Sequence, residues 1–143
     1  MAEQLFYEDV GVGTEITPLA KYPTPRQLVM WAGASEDFFE IHYDKDEAQA
    51  RNMPGIIVHG RLKAAFLGEL MTRWIGDEGV VRKLTCSYRG MDYPKEDLIC
   101  KGKVAQKYID GDDHIIECEI WTENPKGEKT TPGTATVVLP SRG

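Results

Sequence analysis

A carboxylate and an imidazole stand five positions apart, Asp37 and His42, within the segment Ala34-Ser35-Glu36-Asp37-Phe38-Phe39-Glu40-Ile41-His42-Tyr43-Asp44. Such a pair can share one water: one group takes its proton, while the other donates a proton or holds the imidazole tautomer. The spacing alone is equally that of a helix cap beside a surface histidine. A second element narrows the choice. The apolar run Ile56-Ile57-Val58 leads into His59-Gly60 and then a long apolar-striped segment. Glycine at a helix start exposes backbone N–H groups where the helix dipole favours negative charge, a ready oxyanion site for an activated carbonyl. Gly60 could equally be a simple N-cap. Base, acid and oxyanion donor together suit addition or elimination of water beside a thioester carbonyl.

The remaining candidates are plainer. His59 is read as structural, setting the turn before Gly60, and His114 as an exposed residue at a strand start. A metal site built from His42, His59 and His114 has no ligand spacing to support it, and no metal is expected. Cys86, Cys100 and Cys118 form no C-x-x-C pair, and their odd number reads as reduced, buried thiols. Trp31 and Trp74 are assigned to packing. Phe38 and Tyr43 either line an acyl pocket or plug the loop against the sheet.

The elements that must position these groups follow from periodicity and punctuation. Leu5-Phe6-Tyr7 reads as a short strand, Gly11 and Gly13 as a turn, and Glu15-Ile16-Thr17 as the start of a second extended piece ending near Pro23. Thr24-Pro25 is an N-cap with proline at the first helical position, and Leu28, Trp31 and Ala32 share a face of the helix over 27–34. Asp44 and Glu47 have capping-box spacing for a short helix to about Asn52, stopped by Met53-Pro54-Gly55. Gly60 to Ile75 is the strongest helix. Leu62, Phe66, Leu70 and Trp74 recur at i+4, and Ala65, Leu67 and Met71 widen the stripe until most of the circumference is buried. Four strands follow, over 80–89, 98–108, 114–122 and 131–139. Their breaks are turn-like: Met91-Asp92-Tyr93-Pro94, Asp110-Gly111-Asp112 and Asn124-Pro125-Lys126-Gly127. Strands so joined should pair antiparallel. The simplest packing is one α+β domain over 1–143, an antiparallel sheet wrapped around a central buried helix.

The stretch from Thr24 to Phe66 resembles the MaoC-like (R)-specific enoyl-CoA hydratases and dehydratases, which have a hot-dog fold. Their signature is roughly [SA]-G-D-x-N-P-x-H, then a helix, then an apolar run ending in H-G. Here Ser35-Glu36-Asp37-Phe38-Phe39-Glu40-Ile41-His42 and Val58-His59-Gly60-Arg61-Leu62 stand in those places. The later segment from Arg89 to Leu98, followed by Lys101-Gly102-Lys103-Val104, resembles the family's strand–turn–strand ending in G-x-V. The resemblance implies that Asp37 and His42 are catalytic and that the Gly60 N–H binds the thioester oxygen. Water would add to C3 of a trans-2-enoyl thioester and a proton to C2 from the same face, giving the (R)-3-hydroxyacyl product. CoA would enter as part of the substrate, and no separate cofactor is implied.

Two positions depart from the signature. Phe39 replaces the asparagine that normally helps hold water or substrate, and Glu40 replaces the proline. The variant is similar to the catalytic half of heteromeric hydratases that act on bulky steroid side-chain CoA esters, which implies a wide or unusual acyl pocket. A non-catalytic hot-dog subunit that binds acyl-CoA, and an acyl-CoA thioesterase using Glu69 on the buried helix, are the alternatives. The fold further implies pairing with a second hot-dog chain, as a homodimer or a heteromer.

The 143 residues carry a formal charge of −6, with 17 basic and 23 acidic side chains. This balance argues against a nucleic-acid partner. No apolar run is long enough to span a membrane, and the N-terminus lacks the basic-then-apolar pattern of a secretory signal, so a cytoplasmic location is expected. The acidity is uneven: residues 61–107 hold ten basic and six acidic groups. There, among Arg61, Lys63, Arg82, Lys83, Arg89, Lys95, Lys101 and Lys103, a CoA phosphate would be welcome.

Overall fold

The structure is a computed structural model that describes residues 3–143. A short strand β1 (Leu19–Lys21) precedes three helices, α1 (Pro25–Ser35), α2 (Lys45–Ala50) and α3 (Gly60–Ile75). Four longer strands complete the chain: β2 (Val80–Cys86), β3 (Leu98–Asp110), β4 (Asp113–Glu123) and β5 (Lys129–Leu139). All strand pairs are antiparallel, in the order β1-β3-β4-β5-β2. The sheet lies around α3, which touches β2, β3, β4 and β5. This is the α+β hot-dog architecture expected above.

The core forms where two periodicities meet. Leu62, Phe66, Leu67, Leu70, Met71 and Ile75 of α3 are buried, a stripe wider than one side of the helix. The sheet answers with alternate residues, Ile116, Cys118 and Ile120 on β4, and Ala135, Val137 and Leu139 on β5, as period-two strands with one buried face require. Burial pushes the Cys100 and Cys118 thiols up to about 12, so neither is a ready nucleophile. All three cysteines are free, and Cys86 is half-buried.

Several expected boundaries shift. Leu5 and Phe6 are extended without a strand partner, and Tyr7–Asp9 is a single 3₁₀ turn. Glu15 makes only an isolated bridge to Lys103. The segment still tracks β3, since Gly13 donates to Val104 O at 2.8 Å and Ile16 to Gly102 O at 2.8 Å. A Cβ on Gly102 would come within 2.8 Å of the Ile16 side chain, so glycine there permits the close approach. β2 ends at Cys86 rather than Arg89.

The larger correction concerns Met91-Asp92-Tyr93-Pro94. It is not a hairpin turn, because β2 pairs with β5 and not with β3. Residues 87–97 instead cross the molecule beneath the start of α3. The turn residues in the sequence marked a change of direction correctly but could not show which edge the next strand would join. His114 is also corrected. It is half-buried, its ring edge-on to Tyr7 with centroids 4.9 Å apart. Among the described residues, no helix is long and apolar enough to cross a membrane.

Candidate active site

Asp37 sits directly after α1. Thr24 caps that helix by accepting from the Gln27 N–H, and the helix ends at Glu36, whose φ of 60° turns the chain out of it. The carboxylate is then held by its own backbone: Asp37 Oδ1 accepts from the Phe39 N–H at 3.4 Å, and the Asp37 N–H reaches Ser35 Oγ at 3.3 Å. Such local bonds are what short polar side chains offer a chain leaving a helix. One 3₁₀ turn later, His42 is buried with only 6% of its surface exposed.

The His42 tautomer is fixed by a carbonyl. Nδ1 lies 2.8 Å from Ile57 O, and a carbonyl can only accept, so Nδ1 carries the proton. In the neutral ring Nε2 is then a bare lone pair, and it faces Asp37 Oδ2 at 3.9 Å. That distance is too long for a direct hydrogen bond. Two acceptors at this separation can be bridged by a single molecule that donates twice, as water does. The apolar run before α3 is what delivers Ile57: its N–H donates to Ile41 O at 3.1 Å, and the Val58 N–H to Asp92 O at 2.8 Å.

Gly60 opens α3, with His59 as N-cap and no side chain capping the helix among the described residues. The first N–H groups of a helix have no intrahelical acceptor, so the Gly60 N–H is available to an oxyanion. A Cβ at Gly60 would come within 3.0–3.1 Å of the Tyr88 ring, so any larger residue must move that ring.

The structure brings Asp37 and His42 together as the spacing suggested, and adds His59. Its ring is fully buried and stacked on His42, centroids 3.8 Å apart and planes 19° from parallel. His59 Nε2 donates to Asp37 O at 3.3 Å. Burial is the main force pushing its pKa below the ordinary 6.5, and repulsion by His42 adds to it. The unfolded chain therefore takes up a proton that native His59 resists, so this residue costs stability as the pH falls below about 6.5.

One potential ligand atom from each of Asp37, His42 and His59 lies within 4.8 Å of the others, whereas His114 is elsewhere, against Tyr7. Two of the ring nitrogens in this group, His42 Nδ1 and His59 Nε2, are already bonded to carbonyls.

Phe39 and Lys63 complete the surroundings. The Phe39 ring is edge-on to His42, centroids 6.3 Å apart, with the Arg51 guanidinium 5.0 Å above its face. Phe38 and Tyr43 are exposed, Tyr43 donating to Phe38 O at 2.8 Å, so in this chain they do not plug the loop. Lys63 is not a surface charge. Nζ donates to Asp92 Oδ2 and to Gly90 O, both at 2.9 Å, and the residue is 2% exposed. Arg82, Lys101 and Lys103 pair with Asp113, Glu123 and Glu119, so the basic stretch of the sequence is not one continuous phosphate-binding field. The sequence held a signal for Lys63, which falls in the same stripe as Phe66, Leu67 and Leu70. It held none for the His42–His59 stack, which depends on two loops meeting.

Comparison with known proteins shows the family and the fold of the chain. The 3-oxo-4,17-pregnadiene-20-carboxyl-CoA hydratase beta subunit of Mycobacterium tuberculosis is 25% identical over 131 residues, 92% of this chain and 96% of that protein. The R-hydratase PhaJ1 of Pseudomonas aeruginosa superposes with a TM-score of 0.88 at 20% identity, over 99% of this chain and 89% of that one. The ChsH1–ChsH2 complex of Mycobacterium tuberculosis contains a chain with a TM-score of 0.79 at 22% identity, over 90% and 98%. The profile of the family described as MaoC like domain matches residues 11–120, spanning Asp37, His42, His59 and Gly60, and the chain belongs to that family.

Proposed function

We propose that this protein hydrates a trans-2-enoyl thioester, or dehydrates the corresponding (R)-3-hydroxyacyl thioester, with Asp37, His42 and the Gly60 N–H as its working groups. The observation that carries this reading is the bare Nε2 of His42 facing the Asp37 carboxylate across 3.9 Å. A water between them donates one O–H to each. His42 Nε2 takes a proton as the water oxygen bonds to C3. Electrons move through C2 onto the thioester oxygen, where the Gly60 N–H receives the charge. The proton taken from water then goes to C2 on the same face, so no external acid is consumed. The imidazolium formed in between is stabilised by the Asp37 carboxylate beside it.

The hydratase names of the relatives support the reaction class, and the carboxyl-CoA in the name of the mycobacterial beta subunit supports a CoA substrate. Phe39 in place of an asparagine leaves two side-chain acceptors for the water and adds an apolar wall, which favours a bulky acyl group. A second hot-dog chain, identical or related, is the proposed partner, consistent with the subunit name and the two-component complex among the relatives. The thioesterase alternative draws less support, because Glu69 is held by Lys21 and Arg73 and its carboxyl is kept below the ordinary range, chiefly by the bond from Lys21.

A spectrophotometric panel from crotonyl-CoA to bulky enoyl-CoA esters tests the proposal. Enoyl absorbance should fall with no free thiol released. Thiol release would make the protein a thioesterase, and silence across the panel would make it a binding subunit.

The oxyanion role has its own test. Proline is tolerated at the first position of a helix, and His59 already has the extended conformation a following proline needs, with ψ of 133°. Gly60→Pro thus removes the N–H with the helix intact, while Gly60→Ala crowds Tyr88 similarly but keeps the donor. Gly60→Pro should hydrate about a hundredfold more slowly than Gly60→Ala. Equal rates would show that the Gly60 N–H does not bind the oxyanion.

A further inference from the structure

His59 is the most tightly buried polar group beside the site, and a purely structural role accounts for it poorly. Its Nδ1 is buried with no hydrogen-bond partner among the described residues. An orphaned interior nitrogen costs free energy, and a phenyl ring would fill the same space without it. What the imidazole supplies, and a phenyl ring does not, is a donor on the edge that meets Asp37 O, combined with a flat face against His42.

We infer that His59 is a positioning residue, a clamp that locks His42 and Asp37 at water-bridging separation by stacking on one and donating to the backbone of the other. The inference rests on the hydratase reading above. His59 does not touch substrate, because none of its surface is exposed. It acts through the two groups that do. Asp37 lies on an irregular turn with its side chain partly in solvent, and among the described residues the His59 donation is the one bond that joins its backbone to the start of α3. The clamp also needs His59 neutral. The Nε2 proton is the one Asp37 O accepts, and a charge on Nδ1 would stand against any proton gained by the stacked His42. Burial and His42 itself both oppose that charge.

The test compares full-length wild type with His59→Phe, which keeps a stacking face but loses the donor. It also includes His59→Gln, which keeps a donor amide but loses the ring. On whichever thioester the wild type hydrates, His59→Phe should lower kcat by about a hundredfold. KM should stay unchanged, and His59→Gln should restore part of the lost rate. Ring-nitrogen NMR of the wild type at pH 7 should show His59 neutral, with the proton on Nε2. A His59→Phe variant with wild-type kcat would overturn the clamp, as would a His59 ring that is protonated or carries its proton on Nδ1. If His59→Phe fails to fold, His59→Gln and the wild-type spectrum still decide the matter. A wild type silent on every thioester would instead sink the hydratase reading, which the NMR result does not touch.

Discussion

Replacing His42 with Asn, or Asp37 with Asn, is expected to lower hydration by two or more orders of magnitude while the protein stays folded. Positioned general acid–base groups contribute about 10²–10⁴-fold, or roughly 3–5 kcal/mol of barrier. The two variants are chosen for what they leave intact. An asparagine amide at position 42 can still donate toward Ile57 O, which His42 Nδ1 now reaches at 2.8 Å, but it offers no base. At position 37 the asparagine oxygen can still accept from the Phe39 N–H, but the negative charge beside the imidazole is gone. His42→Ala is the harsher version: it leaves Ile57 O unpaired in the interior, at about 1–3 kcal/mol, and a loss of rate would then mix chemistry with stability. Initial rates on a confirmed enoyl thioester, together with a thermal melt, separate the two. Near-normal turnover in either Asn variant, with the fold intact, would refute the assignment of that residue.

Breaking the Lys63–Asp92 pair should give the largest loss of stability of any single polar substitution in the chain. Both side chains are almost completely buried, at 3% and 5% exposure, and their charged atoms are 2.9 Å apart. Removing one partner strands the other charge in the interior, which costs about 3–5 kcal/mol. For a chain of this length that corresponds to a fall in Tm of roughly 10–15 °C. Lys63→Met removes the cation and also frees Gly90 O. Asp92→Asn keeps the shape but withdraws the counter-charge. Replacing both, Lys63→Met with Asp92→Leu, should recover much of the loss, because well-packed apolar groups often match a buried pair. Urea unfolding of the three variants measures this directly. If both single variants lose less than about 1 kcal/mol, the pair does not hold the crossing segment in place. The backbone of that segment accepts from Val58, one residue before His59, so these variants should also slow hydration without touching a group that contacts substrate.

The long-period features were legible in the sequence because each rests on many residues agreeing. α3 was readable from an apolar stripe sixteen residues long, and the last three strands from long extended runs between turn residues, with clear alternation in Ile116, Cys118 and Ile120 of β4. The pairing of Asp37 with His42 was readable because a short loop can hardly separate residues so close in sequence. What escaped was long-range. The turn residues at 91–94 say that the chain bends, and nothing local says that β2 will bond to β5. Lys63 counted as a surface charge until Asp92, 29 positions away, supplied its partner. His59 lies 22 positions from Asp37 and reaches it only after α2 has folded the chain back. The N-terminal segment misled for a different reason: from Gly13 to Ile16 its backbone meets β3 through single bonds, and only Leu19–Lys21 forms a regular ladder, so strand-like composition made a strand shorter than expected.

The strand order also sets a timetable for folding. β3, β4 and β5 are joined by tight turns and can zip together as they form, since each pairing closes a short loop. β2 has no such neighbour. Val80 waits for Val138, and Cys86 for Gly133, so β2 stays unpaired until nearly the whole chain is available. Contacts of this span slow folding, and an unpaired apolar strand is a target for wrong partners in the meantime. Residues 87–97 are pinned by Lys63 and bonded to Val58 only once β2 has joined β5 and β3 has joined β4. The site around Asp37, His42 and Gly60 is therefore among the last parts of the molecule to be assembled, and it cannot exist on a half-folded chain.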